Sequence, residues 1–143
     1  MKKFAIPVLV VLAALFVAGC DRFAHNFQPP EEVDLQTGLF DPLNQALQNQ
    51  PEAGIESVMV HFADDYLHFG LNKSDRRAWL EGIFQAQPNA ISEARLLYSN
   101  LTTDSTAVAK WRLTIRESEG VIVDSTFVGE NLVKRNGHWL LRG

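Results

Sequence analysis

One cysteine in 143 residues leaves this chain no way to brace itself with an intrachain disulfide. It also lacks a basic excess: 13 Lys and Arg stand against 17 Asp and Glu, a formal net charge of −4. An acidic chain offers no broad attraction to a phosphate backbone, so no nucleic-acid partner is expected. The four histidines, His25, His61, His68 and His138, fall at no metal-ligand spacing. There is no glycine-rich nucleotide loop and no nucleophile elbow. No metal and no cofactor are therefore expected. No apolar run is long enough for a membrane span. The longest, residues 4–17, has about 14 residues against the roughly 20 that a bilayer requires.

What stands at the start of the chain is more specific. Lys2 and Lys3 precede that short apolar run, and small residues close it at Val17-Ala18-Gly19-Cys20. A charged start, an apolar core and small residues before a cut make a secretory signal peptide. Val17-Ala18-Gly19-Cys20 also resembles the bacterial lipobox, which implies cleavage before Cys20 and a lipid on its thiol. The rival readings are an uncleaved membrane helix and an ordinary signal with an incidental thiol. A lone thiol in an exported protein has no internal partner, and lipidation accounts for both its presence and its position. The expected organisation is a signal peptide over 1–19, the lipidated Cys20 with a linker to residue 40, and one domain over 41–143. Removing residues 1–19 takes Lys2 and Lys3 away, leaving 11 basic and 17 acidic residues, or −6. The lipid, not charge, must then attach the protein to its membrane. The expected location is the periplasmic side of the bacterial envelope. Asp21 resembles the signal that retains such proteins in the inner membrane; the outer membrane stays open.

Beyond the signal the pattern changes twice. Pro29-Pro30 and the acidic pair after them read as linker over 21–40, with Phe23, Phe27 and Phe40 unusual for a spacer. Asp41-Pro42 reads as a helix start with Asp41 as its cap, and Leu43, Ala46 and Leu47 as its apolar face before Pro51 ends it. Ile55, Val58, Met59, Phe62 and Tyr66 keep helical spacing and predict a second helix. A third starts at Ser74, buries Trp79, Leu80, Ile83 and Phe84, and stops before Pro88. After Pro88 the period becomes two. Ala107, Ala109, Trp111, Leu113 and Ile115 alternate with Val108, Lys110, Arg112, Thr114 and Arg116, which predicts a strand with one face in a core. Strands flank it over 91–101 and 121–135. Asn136-Gly137 predicts a type I′ hairpin pairing Lys134 with Trp139 and Leu132 with Leu141. Gly129 is expected to form a bulge or bend in the longest strand.

Helices followed by a meander of long antiparallel strands make an α+β domain. With its segment Phe62-Ala63-Asp64-Asp65-Tyr66, its third helix and its last hairpin, the chain resembles the nuclear transport factor 2-like superfamily, the cone-shaped cystatin-like fold. The resemblance covers residues 41–143. It implies N-terminal helices on a strongly curved sheet, with a pocket between them. The residues expected to line it are Phe62, Tyr66, Trp79, Phe84, Tyr98, Trp111, Leu113 and Trp139. Some relatives are enzymes, such as ketosteroid isomerase and scytalone dehydratase, which use Asp, His and Tyr there; others only bind or dimerise.

The polar candidates are Asp124, Glu130, Tyr66 and His68. A carboxylate on an inward apolar face would have a raised pKa and suit acid–base work. A bulge at Gly129 would turn one of the two carboxylates outward. Each candidate also has a plain reading: surface carboxylates, a packed tyrosine and a surface histidine. His61 and Asp65, four apart, read as an exposed pair. Two functions follow. The first is a tethered domain that binds a small apolar ligand or a protein partner without catalysis. The second is a small pocket enzyme of the isomerase, dehydratase or cyclase type, using an acidic residue with Tyr or His. The resemblance also suggests a homodimer through the open sheet face. The cations Lys110, Arg112 and Arg116 oppose it unless Glu93 or Asp124 offsets them, so a weak dimer is expected.

Overall fold

The computed structural model describes residues 30–143. Cys20, Asp21, His25, Phe23 and Phe27 lie outside the described residues. Helix α1 (Pro30–Leu35) runs through a π-helical turn (Gln36–Phe40) into α2 (Asp41–Ala53), and the single turn α3 (Glu56–Met59) follows. Two-residue strands β1 (Leu67–His68) and β2 (Leu71–Asn72) form a small hairpin before α4 (Lys73–Ala86). The main sheet is an antiparallel meander in the order β3 (Ile91–Thr103), β4 (Thr106–Glu117), β5 (Gly120–Arg135), β6 (His138–Leu141). Among the described residues no helix is long and apolar enough to cross a membrane.

The linker reading fails from Pro30 onward. The chain is already helical at Pro30, the first described residue. Leu35, Leu39 and Phe40 are each 0% exposed, so this segment belongs to the core. Because the chain enters α2 already helical, Asp41 has no free amides to cap; it accepts from Gln36 Nε2 at 2.6 Å instead. Pro51 lies within the last turn of α2, which runs on to Ala53 and ends at Gly54, φ 76°. The second helix is shorter than its apolar spacing predicts. Ala63 N donates to Leu141 O at 2.8 Å, and Leu141 N donates to His61 O at 2.9 Å. The backbone of residues 61–63 thus pairs with the end of β6 and leaves the helix, yet the whole stripe from Ile55 to Tyr66 is buried. Helix α4 begins one residue early, capped by a reciprocal box between Asn72 and Asp75.

The sheet follows its sequence pattern closely. All five inward residues of β4 are buried, and Lys134 pairs with Trp139 and Leu132 with Leu141. Asn136 and Gly137 have φ of 52° and 82°, the left-handed pair that a type I′ turn requires. Asn44 on α2 clamps the outer edge of β3: its amide donates to Ala94 O at 2.7 Å and accepts from Ala94 N at 2.6 Å. That satisfies backbone groups an edge strand otherwise leaves open. Trp139 Nε1 donates to Asp34 at 2.6 Å and pins α1 to the last hairpin. On the outward face Arg112 pairs with Asp124 and Arg116 with Glu93, the two carboxylates that the cations of β4 called for.

Trp111 sits at the centre, 3% exposed, stacked on Phe127 at 4.2 Å and tilted against Phe40 at 6.0 Å. Trp111→Ala is expected to destabilise the domain by roughly 3–5 kcal/mol, the range for a large aromatic lost from a core. Chemical denaturation checks this; an unchanged midpoint would contradict a central packing role.

Candidate functional site

The bulge in β5 separates the two carboxylates. Ala109 pairs with Glu130 but Lys110 pairs with Val128, so Gly129 is the extra residue, at φ 72°. Up to Val128 the even-numbered residues of β5 face outward, Asp124 among them. The inserted glycine reverses the alternation and turns Glu130 into the core beside Leu132. Asp124 is exposed, and its hydrogen bonds from Arg112 hold its carboxyl below the usual range; it has no place in an interior site. Glu130 is 0% exposed.

Three of the four polar candidates meet around that carboxylate. Tyr66, 2% exposed, enters just before β1, and His68, 5% exposed, enters from it. The surface reading of His68 is thus overturned, because β1 turns its ring inward while leaving Leu67 outside. His68 Nδ1 lies 3.5 Å from Glu130 Oε2, too long for a good hydrogen bond. A fourth member, Arg76 on α4, was missed. It lies one helical turn before Leu80, on the same inward stripe, and that spacing is the signal that marks it. It is 7% exposed, and its guanidinium carbon stands 5.9 Å from the Tyr66 ring, 5.3 Å from Trp79 and 5.1 Å from Phe127.

These groups perturb one another. Burial pushes Glu130 up to about 7, while the Trp111 indole, the Arg76 charge and the Gly143 backbone pull it partly back. Burial and the Glu130 charge push Tyr66 up to about 12, against the pull of Arg76. Burial, with the Arg76 charge, lowers His68. At neutral pH Tyr66 and His68 are neutral, Glu130 is near its midpoint, and Arg76 carries the fixed charge. Tyr66 Oη, His68 Nε2, Arg76 Nε, Trp111 Nε1 and both Glu130 oxygens are buried and make no hydrogen bond of good geometry to a described residue, although Trp111 and the Gly143 backbone approach Glu130, and Arg76 approaches Tyr66, closely enough to shift them. Each such group costs about 1–3 kcal/mol when left unsatisfied. The arrangement can therefore bind a molecule with a polar end, and a carboxyl poised near neutrality can exchange a proton with it.

The other expected positions are scattered. Tyr98 is 59% exposed, because an irregularity at Leu97 reverses the alternation of β3 before it. Leu113 and Phe84 are packed in the core, and Trp79 is half-buried beside Arg76. Phe62 and Trp139 line a separate cleft of about 580 Å³ shared with His61 and Arg135. Asp65 bridges to Arg135 and Arg142, not to His61.

The sign of the Glu130 effect is testable. A carboxyl whose folded pKa lies above its unfolded 4.5 adds stability that is fully present below that value and is lost as pH rises through about 7. Glu130→Gln removes this dependence. Its stability relative to wild type is expected to rise by about 2–3 kcal/mol between pH 5 and pH 8, read from denaturant midpoints. A difference that stays constant with pH would refute the buried, raised carboxyl.

No family model matches the sequence, and no curated protein does. Solved structures do match. A domain of unknown function with a cystatin-like fold from Nostoc punctiforme is similar at TM-score 0.53 and 11% identity, over 81% of this chain and 75% of that one. An NTF2-like protein of unknown function from Shewanella oneidensis is similar at TM-score 0.51 and 10% identity, over 78% and 92%. A candidate scytalone dehydratase from Novosphingobium aromaticivorans is similar at TM-score 0.54 and 17% identity, over 78% and 79%. Helices on a curved antiparallel sheet, shared with these neighbours over most of each chain, give this protein the nuclear transport factor 2-like, or cystatin-like, fold.

Proposed function

We propose that this chain is a lipid-anchored protein of the bacterial envelope, tethered through Cys20, whose domain binds a small, mostly apolar molecule with one polar end around Glu130. The observation that carries the binding reading is the convergence of buried polar atoms from Tyr66, His68, Arg76, Trp111 and Glu130 whose contacts with one another fall short of good hydrogen-bond geometry. A core built only for stability would pair these atoms or replace them. The position is internal and ringed by Trp111, Phe127 and Trp79, which favours a small molecule over a protein partner there. Strand β1 is the thin cover. It is two residues long and attached to the C-terminal segment by Leu67 N donating to Arg142 O at 2.8 Å. Short elements with few such bonds open at low cost, and opening this one would admit a ligand.

One observation favours a second reading, the small pocket enzyme. Glu130 is poised near 7 beside His68, the combination an acid–base pair requires. The likeness to a candidate scytalone dehydratase is compatible with it. Binding ranks first because both Glu130 oxygens are enclosed and the His68 contact is long. The two readings separate on the fate of the bound molecule, which a binder returns unchanged.

Two experiments test the proposal. Cys20→Ala is expected to abolish membrane attachment and acyl labelling in fractionated cells while leaving the domain folded; wild-type protein free of lipid would end the lipoprotein reading. Native mass spectrometry of the detergent-released protein should show a non-covalent small organic adduct, weakened in Tyr66→Phe. Finding no adduct, and no thermal stabilisation by a panel of apolar molecules with polar ends, would contradict ligand binding.

A further inference from the structure

We infer that the molecule bound at this site carries a carboxylate, that Arg76 holds it, and that Glu130 takes up one proton as it enters. This rests on the ligand-binding reading and names the ligand's chemistry. Arg76 is more than nine-tenths buried, yet among the described residues no carboxylate lies within ion-pair distance of its guanidinium. Its neighbours are the ring faces of Tyr66, Trp79 and Phe127, it feels the charge of Glu130 at a longer range, and its Nε makes no hydrogen bond of good geometry to a described residue. A buried cation is costly unless paired and hydrogen-bonded, and three ring faces replace only part of its lost hydration. A planar guanidinium with an N–H to spare suits a carboxylate.

The remaining charges point the same way. The groups facing Glu130 are Tyr66 and His68 from the segment at β1, Arg76 from α4 and the uncharged Trp111 from β4. Tyr66 stays neutral well above neutral pH, and His68 is held neutral by burial and by Arg76. Among these described groups the fixed charge is then positive, and Glu130 alternates between neutral and negative. An ammonium ligand would meet Arg76 head-on. An alcohol would leave Arg76 with no counter-charge beyond that of Glu130. A carboxylate neutralises Arg76, but beside an ionised Glu130 it would meet a like charge away from water. The balance is one ligand anion and one proton from solvent entering together. The protonated Glu130 then donates to the ligand, where its ionised form could only accept.

Isothermal titration calorimetry on the full-length protein tests this with two probes of the same apolar body, 4-phenylbutanoate and 4-phenylbutan-1-ol. At pH 6 the acid is expected to bind at least roughly tenfold tighter than the alcohol, as a charge-assisted pair requires. Its affinity should fall about tenfold per pH unit above pH 7, while that of the alcohol does not. At pH 8, titrations in buffers of different ionisation enthalpy should report close to one proton taken up per acid bound. Arg76→Leu should lose the preference for the acid, and Glu130→Gln should keep it but lose its pH dependence. The wild-type proton count needs no variant, so a failure of Arg76→Leu to fold leaves the test intact. Equal binding of acid and alcohol, or acid binding without proton uptake, would overturn the inference and leave the binding reading standing. Binding of neither probe would overturn it too, and the native mass spectrum then decides whether the binding reading survives.

Discussion

A single extra residue in β5 sets the chemistry of this domain. Gly129, at φ 72°, lets the strand gain a residue against β4 without breaking the ladder on either side. Were Gly129 paired in the ladder like its neighbours rather than bulged, Glu130 would continue the outward row of Asp124, Thr126 and Val128 and meet solvent. With the bulge, a carboxylate is delivered to the inner face, opposite Ala109. That small neighbour leaves room for the side chains that approach from β1 and α4.

Elsewhere the structure is careful with its polar groups. The edge of β3 is satisfied by Asn44, the Trp139 indole by Asp34, and the outward cations of β4 by Glu93 and Asp124. Asp65 holds both Arg135 and Arg142. Against that background, with Ser92 and Ser99 the other described residues holding a buried atom without a partner, poorly paired atoms on five neighbouring interior residues are a local concentration. Their combined desolvation is a stability cost that the fold retains. Natural domains keep such costs where binding or chemistry requires them. Helices α2 and α4 and the long strands form the rigid frame. His68 approaches Glu130 from β1, an element of two residues.

Much of the frame was legible in the sequence, and the reasons are physical. Alternation along β4 and the Asn136-Gly137 turn depend on local chemistry, so the central strand and the last hairpin follow directly from the residues. The helical ends were less legible because tertiary contacts decide them. The strip from 61 to 63 follows helical spacing but pairs with β6, and the segment from Pro30 is helical where Pro29-Pro30 reads as a linker. The site was half legible. Glu130, Tyr66 and His68 stand out as polar residues among apolar ones, and the glycine between Asp124 and Glu130 warns that one of the two faces inward. Which one depends on the register with β4. Arg76 escaped notice because an arginine on an amphipathic helix normally belongs to its solvated face. Its burial becomes visible only when Tyr66, Trp79 and Phe127 are placed around it.

The central claim is that Glu130 is an enclosed carboxyl poised near neutrality inside a polar cluster. Its own titration tests that most directly, followed by carbon-detected NMR on protein labelled at the glutamate side-chain carboxyl. The account predicts a midpoint near 7 for Glu130, falling when Arg76 is absent only if the site admits more water. A Glu130 midpoint at the ordinary glutamate value of 4.5 would contradict it.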